Sequence, residues 1–137
     1  MDRVVVDTNV LLVSISNKSS LHWVFRRLVD RNYELIVTTD ILAEYEEVIG
    51  RHMGHKVAEA VMAVLENLPN VMFVTSYFKF NLLNDPDDNK FVDCAIAGNA
   101  NYIVTHDEDF NLLSEIDFPK VKVLKTHQFF KKLPDIK

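Results

Sequence analysis

Acidic side chains recur in this sequence at points where a fold can gather them into one crevice. Asp7 closes the apolar run Val4-Val5-Val6, and Asp107 and Asp109 follow Tyr102-Ile103-Val104-Thr105. Three β-branched residues in a row read as a strand buried on both faces, and open α/β sheets form their ligand crevice at the carboxyl ends of such strands. Between these two runs lie helical acids: Glu44 and Glu46 in one amphipathic stretch, Asp88 and Asp93 in another. Carboxylates brought together repel one another and raise each other's pKa values. Hard divalent cations such as Mg2+ or Mn2+ remove that conflict and prefer oxygen ligands. So placed, they orient a water, lower its pKa and stabilise the charge that develops on a phosphodiester under attack.

Each acid also has an ordinary reading. Aspartate is a frequent turn residue, which alone accounts for Asp7, Asp107 or Asp109. Around the helix from Ile41 to Arg51, Ile41, Leu42, Tyr45, Val48 and Ile49 share one arc, with Glu44 on one border and Glu46 on the other. Periodicity does not choose between them. Asp85 and Pro86 suit the cap and first position of a helix running to about Asn99, which puts Asp88 where an acid favours the helix start. Asp93 lies mid-helix among Phe91, Val92, Ala95 and Ile96, where a carboxylate needs a partner. The two aspartates are separated by about 7.5 Å of rise and about 140° of rotation, so equivalent contacts to one ion are not expected.

The elements that must position these acids alternate between strand and helix. A short helix over Asn9–Ile15 is followed by one capped by Ser19 or Ser20, with Leu21, Val24, Phe25, Leu28 and Val29 on its inner stripe and Arg26, Arg27 and Arg31 off it. Strand Glu34–Thr38 leads to the Ile41–Arg51 helix, for which Thr39 and Asp40 are the cap candidates. A helix over Lys56–Leu68, a strand Val71–Val74, the helix after Asp85, strand Tyr102–Thr105, strand Val121–Leu124 and a short helix capped by Thr126 complete the series. In the less regular stretch Thr75–Asn84, Phe78 and Phe80 are expected in core or edge packing. This alternation predicts an α/β fold with a mainly parallel sheet and helices on both faces, as one domain over residues 1–137.

Composition narrows the chemistry. Fifteen Lys and Arg against twenty Asp and Glu argue against a broad basic surface for nucleic acid, but not against a nucleic-acid enzyme whose acids sit on cations. A single cysteine, Cys94, excludes an internal disulfide and a multi-cysteine zinc site, and reads as a buried residue of a reducing compartment. The five histidines are scattered, with only His106 near the strand-end acids, where it reads as an exposed loop residue. No Gly-rich phosphate loop and no nucleophile elbow is present. No apolar run is long enough to span a bilayer, and a cytoplasmic protein is expected.

Taken together and in order, the acidic segments resemble a known family. Val5-Val6-Asp7-Thr8-Asn9-Val10 is similar to the opening motif of PIN domains, and Thr39-Asp40-Ile41-Leu42-Ala43-Glu44-Tyr45 to their second acidic motif, which selects Glu44 over Glu46. Asp85 to Ala97 resembles the third motif and Ile103-Val104-Thr105-His106-Asp107-Glu108-Asp109-Phe110 the fourth, with most likeness to the toxins of toxin–antitoxin systems. The resemblance implies a three-layer α/β/α fold and a Mg2+- or Mn2+-dependent endoribonuclease acting on single-stranded RNA. It implies Asp7, Glu44, Asp88, Asp93 and Asp107 as catalytic metal-binding acids, with Asp88 and Asp93 both retained for the third motif. Thr8 and Asn9 would orient Asp7, and Thr105 would support Asp107. An antitoxin protein is the implied partner, and pairing into a homo-oligomer fits the family. A PIN-like module that binds RNA or protein without cleaving, or a phosphatase using the same acids, are the alternatives. Arg26, Arg27, Arg31 and the Lys120–Lys132 stretch are the candidate contacts to an RNA backbone.

Overall fold

A computed structural model describes residues 1–135. Five strands form one sheet in the order β3-β2-β1-β4-β5, every neighbouring pair parallel: β1 (Arg3–Val6), β2 (Glu34–Val37), β3 (Val71–Phe73), β4 (Tyr102–Val104) and β5 (Val123–Leu124). The expected alternation is therefore realised, with β1 at the centre. Val4, Val5 and Val6 are fully buried, as a strand covered on both faces requires.

Helices α1 (Thr8–Ile15) and α2 (His22–Val29) connect β1 to β2, and α3 (Thr39–Met53) and α4 (His55–Asn67) connect β2 to β3. The chain then returns across the sheet through α5 (Pro86–Ala97) to β4, and a 3₁₀ segment (Glu108–Glu115) leads on to β5 and α6 (Thr126–Lys132). Right-handed crossovers in the two opposite directions put α1–α4 on one face and α5 on the other, giving three layers. Helix α5 packs on β1, β2 and β4. Its exit at Gly98 runs so close to β2 that a Cβ there would lie 2.5 Å from Ile36 Cγ2. The reversal of direction falls between β1 and β4, whose carboxyl ends are level: Val6 pairs with Val104, and the Asp7 amide donates to the Val104 carbonyl at 3.0 Å. This is the position at which open parallel sheets form a crevice.

Two tethers fix the helices that border that crevice. The buried Tyr45 hydroxyl of α3 donates to the Val6 carbonyl, holding the helix against the end of β1. Asp85 caps α5, its Oδ1 accepting the Asp87 amide at 2.9 Å, with Pro86 at the first position as expected. At the far end Phe129 of α6 packs edge-on against Tyr33 and Tyr102, with centroids 5.0 and 5.7 Å away.

Several local expectations are corrected. Thr38, not Thr39 or Asp40, caps α3, its hydroxyl accepting the Ile41 amide at 3.3 Å. Thr126 is the first residue of α6, not its cap, because Lys125 occupies the cap position. Phe78 is 74 % exposed and Phe80 38 % exposed, so neither is a core residue. Arg27 is buried, its guanidinium donating to Asn32 Oδ1 and to the carbonyl of Pro134, and it is not available to an RNA backbone. Cys94 is buried as expected, and burial pushes its thiol up to about 12.

Candidate active site

Thr105 ties the two strand-end acids together. Its hydroxyl, almost wholly buried, donates to Asp7 Oδ2 at 2.7 Å and accepts the Asp107 amide at 3.0 Å. One threonine one residue beyond β4 thus orients the carboxylate at the end of β1 and the backbone that carries the next acid. Burial raises the pKa of Asp7 above the ordinary value; the Thr105 hydrogen bond opposes this, and the Asp107 charge adds to it. Asp107 also caps the 3₁₀ segment, its Oδ1 accepting the Asp109 amide at 2.9 Å.

Asp88 enters from α5. A favourable place at the helix start does not account for it, because its Oδ2 is buried and has no hydrogen-bond partner among the described residues. Its pKa is pushed up to about 6, first by burial and then by the charges of Asp107, Asp85, Asp7 and Asp109. Carboxylate oxygens of Asp88, Asp107 and Asp109 all lie within 4.8 Å of one another. Hard oxygen donors at that separation, on a residue set in which Asp88 also keeps a buried oxygen unsatisfied, fit a divalent cation such as Mg2+ or Mn2+ and do not fit a soft-ligand site.

Glu44 forms the α3 side of the crevice, near enough for its charge to act on Asp7. Its Oε1 accepts Lys90 Nζ at 2.7 Å and its Oε2 accepts the Thr8 hydroxyl. Glu46, the other border residue, is exposed. Thr8 therefore holds Glu44, where an orienting role toward Asp7 was expected of its side chain. Asn9 is exposed in a hollow shared with Asp7, His106 and Asp107, and Asp7 takes its side-chain hydrogen bond from Thr105 instead. His106 is exposed, as expected, with Nε2 2.8 Å from the Thr126 hydroxyl.

Asp93 is placed elsewhere. It is 7 % exposed and its Oδ1 accepts the Phe80 amide at 3.1 Å. Burial raises its pKa, while the Phe80 hydrogen bond and the Lys79 charge oppose the rise. It lines a cavity of about 340 Å³ with Thr38, Thr75, Lys79, Asn89 and Lys90, and does not figure among the charges acting on Asp7 or Asp88. The fold thus gathers Asp7, Glu44, Asp88 and Asp107 and leaves Asp93 outside. Two members of the cluster were not singled out from the sequence as site residues: Asp109, visible as a second acid two positions after Asp107, and Lys90. A lysine close to the start of a helix, where the macrodipole favours acids, was the available signal for the latter.

Comparisons with known proteins identify the family and the fold. The model of a PIN domain family matches residues 3–109. No curated protein matches the chain significantly by sequence. Among solved structures, the fold is similar to VapBC2 from Rickettsia felis, bound to a DNA fragment from its promoter, with a TM-score of 0.63, 14% identity, and 90% of this chain and 98% of that chain covered. It is also similar to Mycobacterium tuberculosis VapC20, a toxin that cleaves the sarcin–ricin loop, with a TM-score of 0.57, 18% identity, and coverage of 79% and 92%. The PIN domain of human SMG5 superposes with a TM-score of 0.53 at 11% identity, over 95% and 98% of the two chains.

Proposed function

The chain belongs to the PIN domain family, and on that premise we propose that it is a divalent-metal-dependent endoribonuclease hydrolysing phosphodiester bonds of single-stranded RNA, acting as the toxin of a toxin–antitoxin pair. The observation that carries the reading is Asp88, which keeps one buried oxygen unpartnered, offers an oxygen within 4.8 Å of those of Asp107 and Asp109, and feels the charge of Asp7. Four like charges are held there by the ends of two strands and the start of a helix, an arrangement that is unfavourable until a cation is added.

Asp7, Asp88 and Asp107, with Asp109, would hold Mg2+ or Mn2+. When bound, the ion would lower the pKa of a water and stabilise charge on the phosphate. Thr105 keeps Asp7 and Asp107 in register, so that the two strand-end carboxylates meet the substrate as a rigid pair. Glu44, fixed by Thr8 and Lys90, closes the crevice on the α3 side. Asp93 supports the fold of the Thr75–Asn84 segment, and we assign it no contact with the metal. The likeness to VapBC2 and to a cleaving toxin supports a toxin role with an antitoxin partner. Among the described residues no helix is long and apolar enough to cross a membrane.

Incubation of the purified chain with mixed-sequence single-stranded RNA in EDTA, Mg2+ or Mn2+, beside an Asp7→Asn variant, tests this reading. Cleavage that requires the metal and is lost in the variant is expected. Cleavage in EDTA, or by the variant at the wild-type rate, would refute the assignment. A folded wild type that binds metal yet leaves RNA intact would point instead to a binding role.

A further inference from the structure

The acids of the crevice differ in their counter-cations. Among the described residues, no lysine or arginine pairs with Asp7, Asp88, Asp107 or Asp109, whereas Glu44 has Lys90 Nζ at 2.7 Å. Side chains of the pair are only 23% and 24% exposed, unlike the surface pairs Arg26–Asp30 and Arg51–Glu47, which are at least half exposed. With Thr8 on Oε2 and Lys90 on Oε1, both oxygens of Glu44 are engaged. The hollow around the pair is lined by Asp40, Glu47 and Asp87, so the ammonium is the local neutralising charge there, with Arg51 already turned to Glu47.

We propose that the Lys90 ammonium occupies the position of a second cation on Glu44, so that this chain loads one divalent ion, on the Asp88–Asp107 side, and not two. The inference rests on the metal-dependent reading given above. A divalent ion on Glu44 Oε1 would lie about 2.1 Å from an oxygen that already receives an ammonium. Repulsion between the two cations then favours whichever is tethered, and Lys90 is tethered by α5, the helix that carries Asp88. One fixed ammonium and one exchangeable ion share the acids between them.

The test is the stoichiometry of Mn2+ binding, by titration calorimetry and by the paramagnetic resonance of free Mn2+, for wild type, Lys90→Met, and Lys90→Met combined with Glu44→Gln. Circular dichroism confirms folding, and Lys90→Gln is carried in parallel in case the apolar replacement does not fold. One ion per chain in wild type, two once Lys90 is replaced, and one again in the double variant are expected. Two ions in wild type would overturn this inference and leave the nuclease reading standing. One ion in both single variants, or two in the double variant, would also overturn it, since the second ion would then owe nothing to Lys90 or Glu44. No Mn2+ on folded wild type would overturn the metal-dependent reading together with this inference.

Discussion

The start and the middle of α5 carry aspartates in opposite circumstances. Asp93 is the more deeply buried, yet it has a backbone amide on one oxygen and Lys79 nearby. Asp88, at the helix start, has a buried oxygen with no partner and four other acids acting on it. Depth of burial alone would have picked Asp93 as the special residue. What separates them is whether the protein supplies the compensating group. A buried carboxylate that is compensated holds structure together, whereas one left uncompensated among like charges is suited to an external cation.

Activity is the sharpest way to break that contrast. Asp88→Asn is expected to lower single-turnover RNA cleavage by about 10²–10³-fold, the scale of losing one preorganised electrostatic contribution to a transition state. Asp93→Asn should stay within a few-fold of wild type, because the amide oxygen of asparagine can still accept the Phe80 N–H. Equal losses in the two variants would erase the distinction.

Metal-linked stability is the next largest effect. A ligand at about 100 times its Kd stabilises the folded state by about 2.7 kcal/mol. Thermal melts with and without Mn2+ should show that stabilisation in wild type and Asp93→Asn and show it lost in Asp88→Asn. A full Mn2+ response in Asp88→Asn would remove this residue from the metal site. In the absence of metal the order changes: Asp93→Ala should cost about 1–3 kcal/mol in urea denaturation by leaving the Phe80 amide unpaired. Asp88→Asn should cost nothing or stabilise the protein, since it removes a like charge. An Asp93→Ala protein as stable as wild type would show that the Phe80 contact is incidental.

Much of this was legible in the sequence because it is local. The Val4–Val6 run fixed the nature of β1, the apolar stretch ending at Thr105 marked β4, and the acids that follow each fall where strand ends open into the crevice. Glu44 could be placed on a border of α3 but not chosen over Glu46 by periodicity, since both flank the same arc; the choice depends on Lys90 and Thr8, which are 46 and 36 residues away. Arg27 shows the same limit. Helical spacing put it off the inner stripe of α2, but Asn32 and the chain at Pro134 cover it. Asp93 was correctly expected to need a partner, and that partner is a backbone amide in the aperiodic segment Thr75–Asn84, where no side-chain pattern could announce it. Periodicity reports which face a residue occupies, not which distant segment arrives to meet it.

The smallest expected effect carries a sign that can be read both ways in one experiment. The pKa values of Asp7 and Asp88 are raised in the folded chain, that of Asp88 from 3.8 to about 6. Between those values the folded metal-free protein keeps a proton that the unfolded chain has released, so folded binds more protons than unfolded and stability falls as pH rises. The contribution of Asp88 is thus present below about pH 4 and gone above about pH 6. Solvent screening of this partly exposed group should hold the loss to about 1 kcal/mol or less. The difference in Tm between wild type and Asp88→Asn isolates it from the other carboxylates. With saturating Mn2+ the sign should reverse, because the ion binds only the deprotonated acids and its stabilisation grows as they ionise. A wild-type minus variant difference that slopes the same way with and without Mn2+ would mean that protons and metal do not compete for Asp88, and the uncompensated end of α5 would need another explanation.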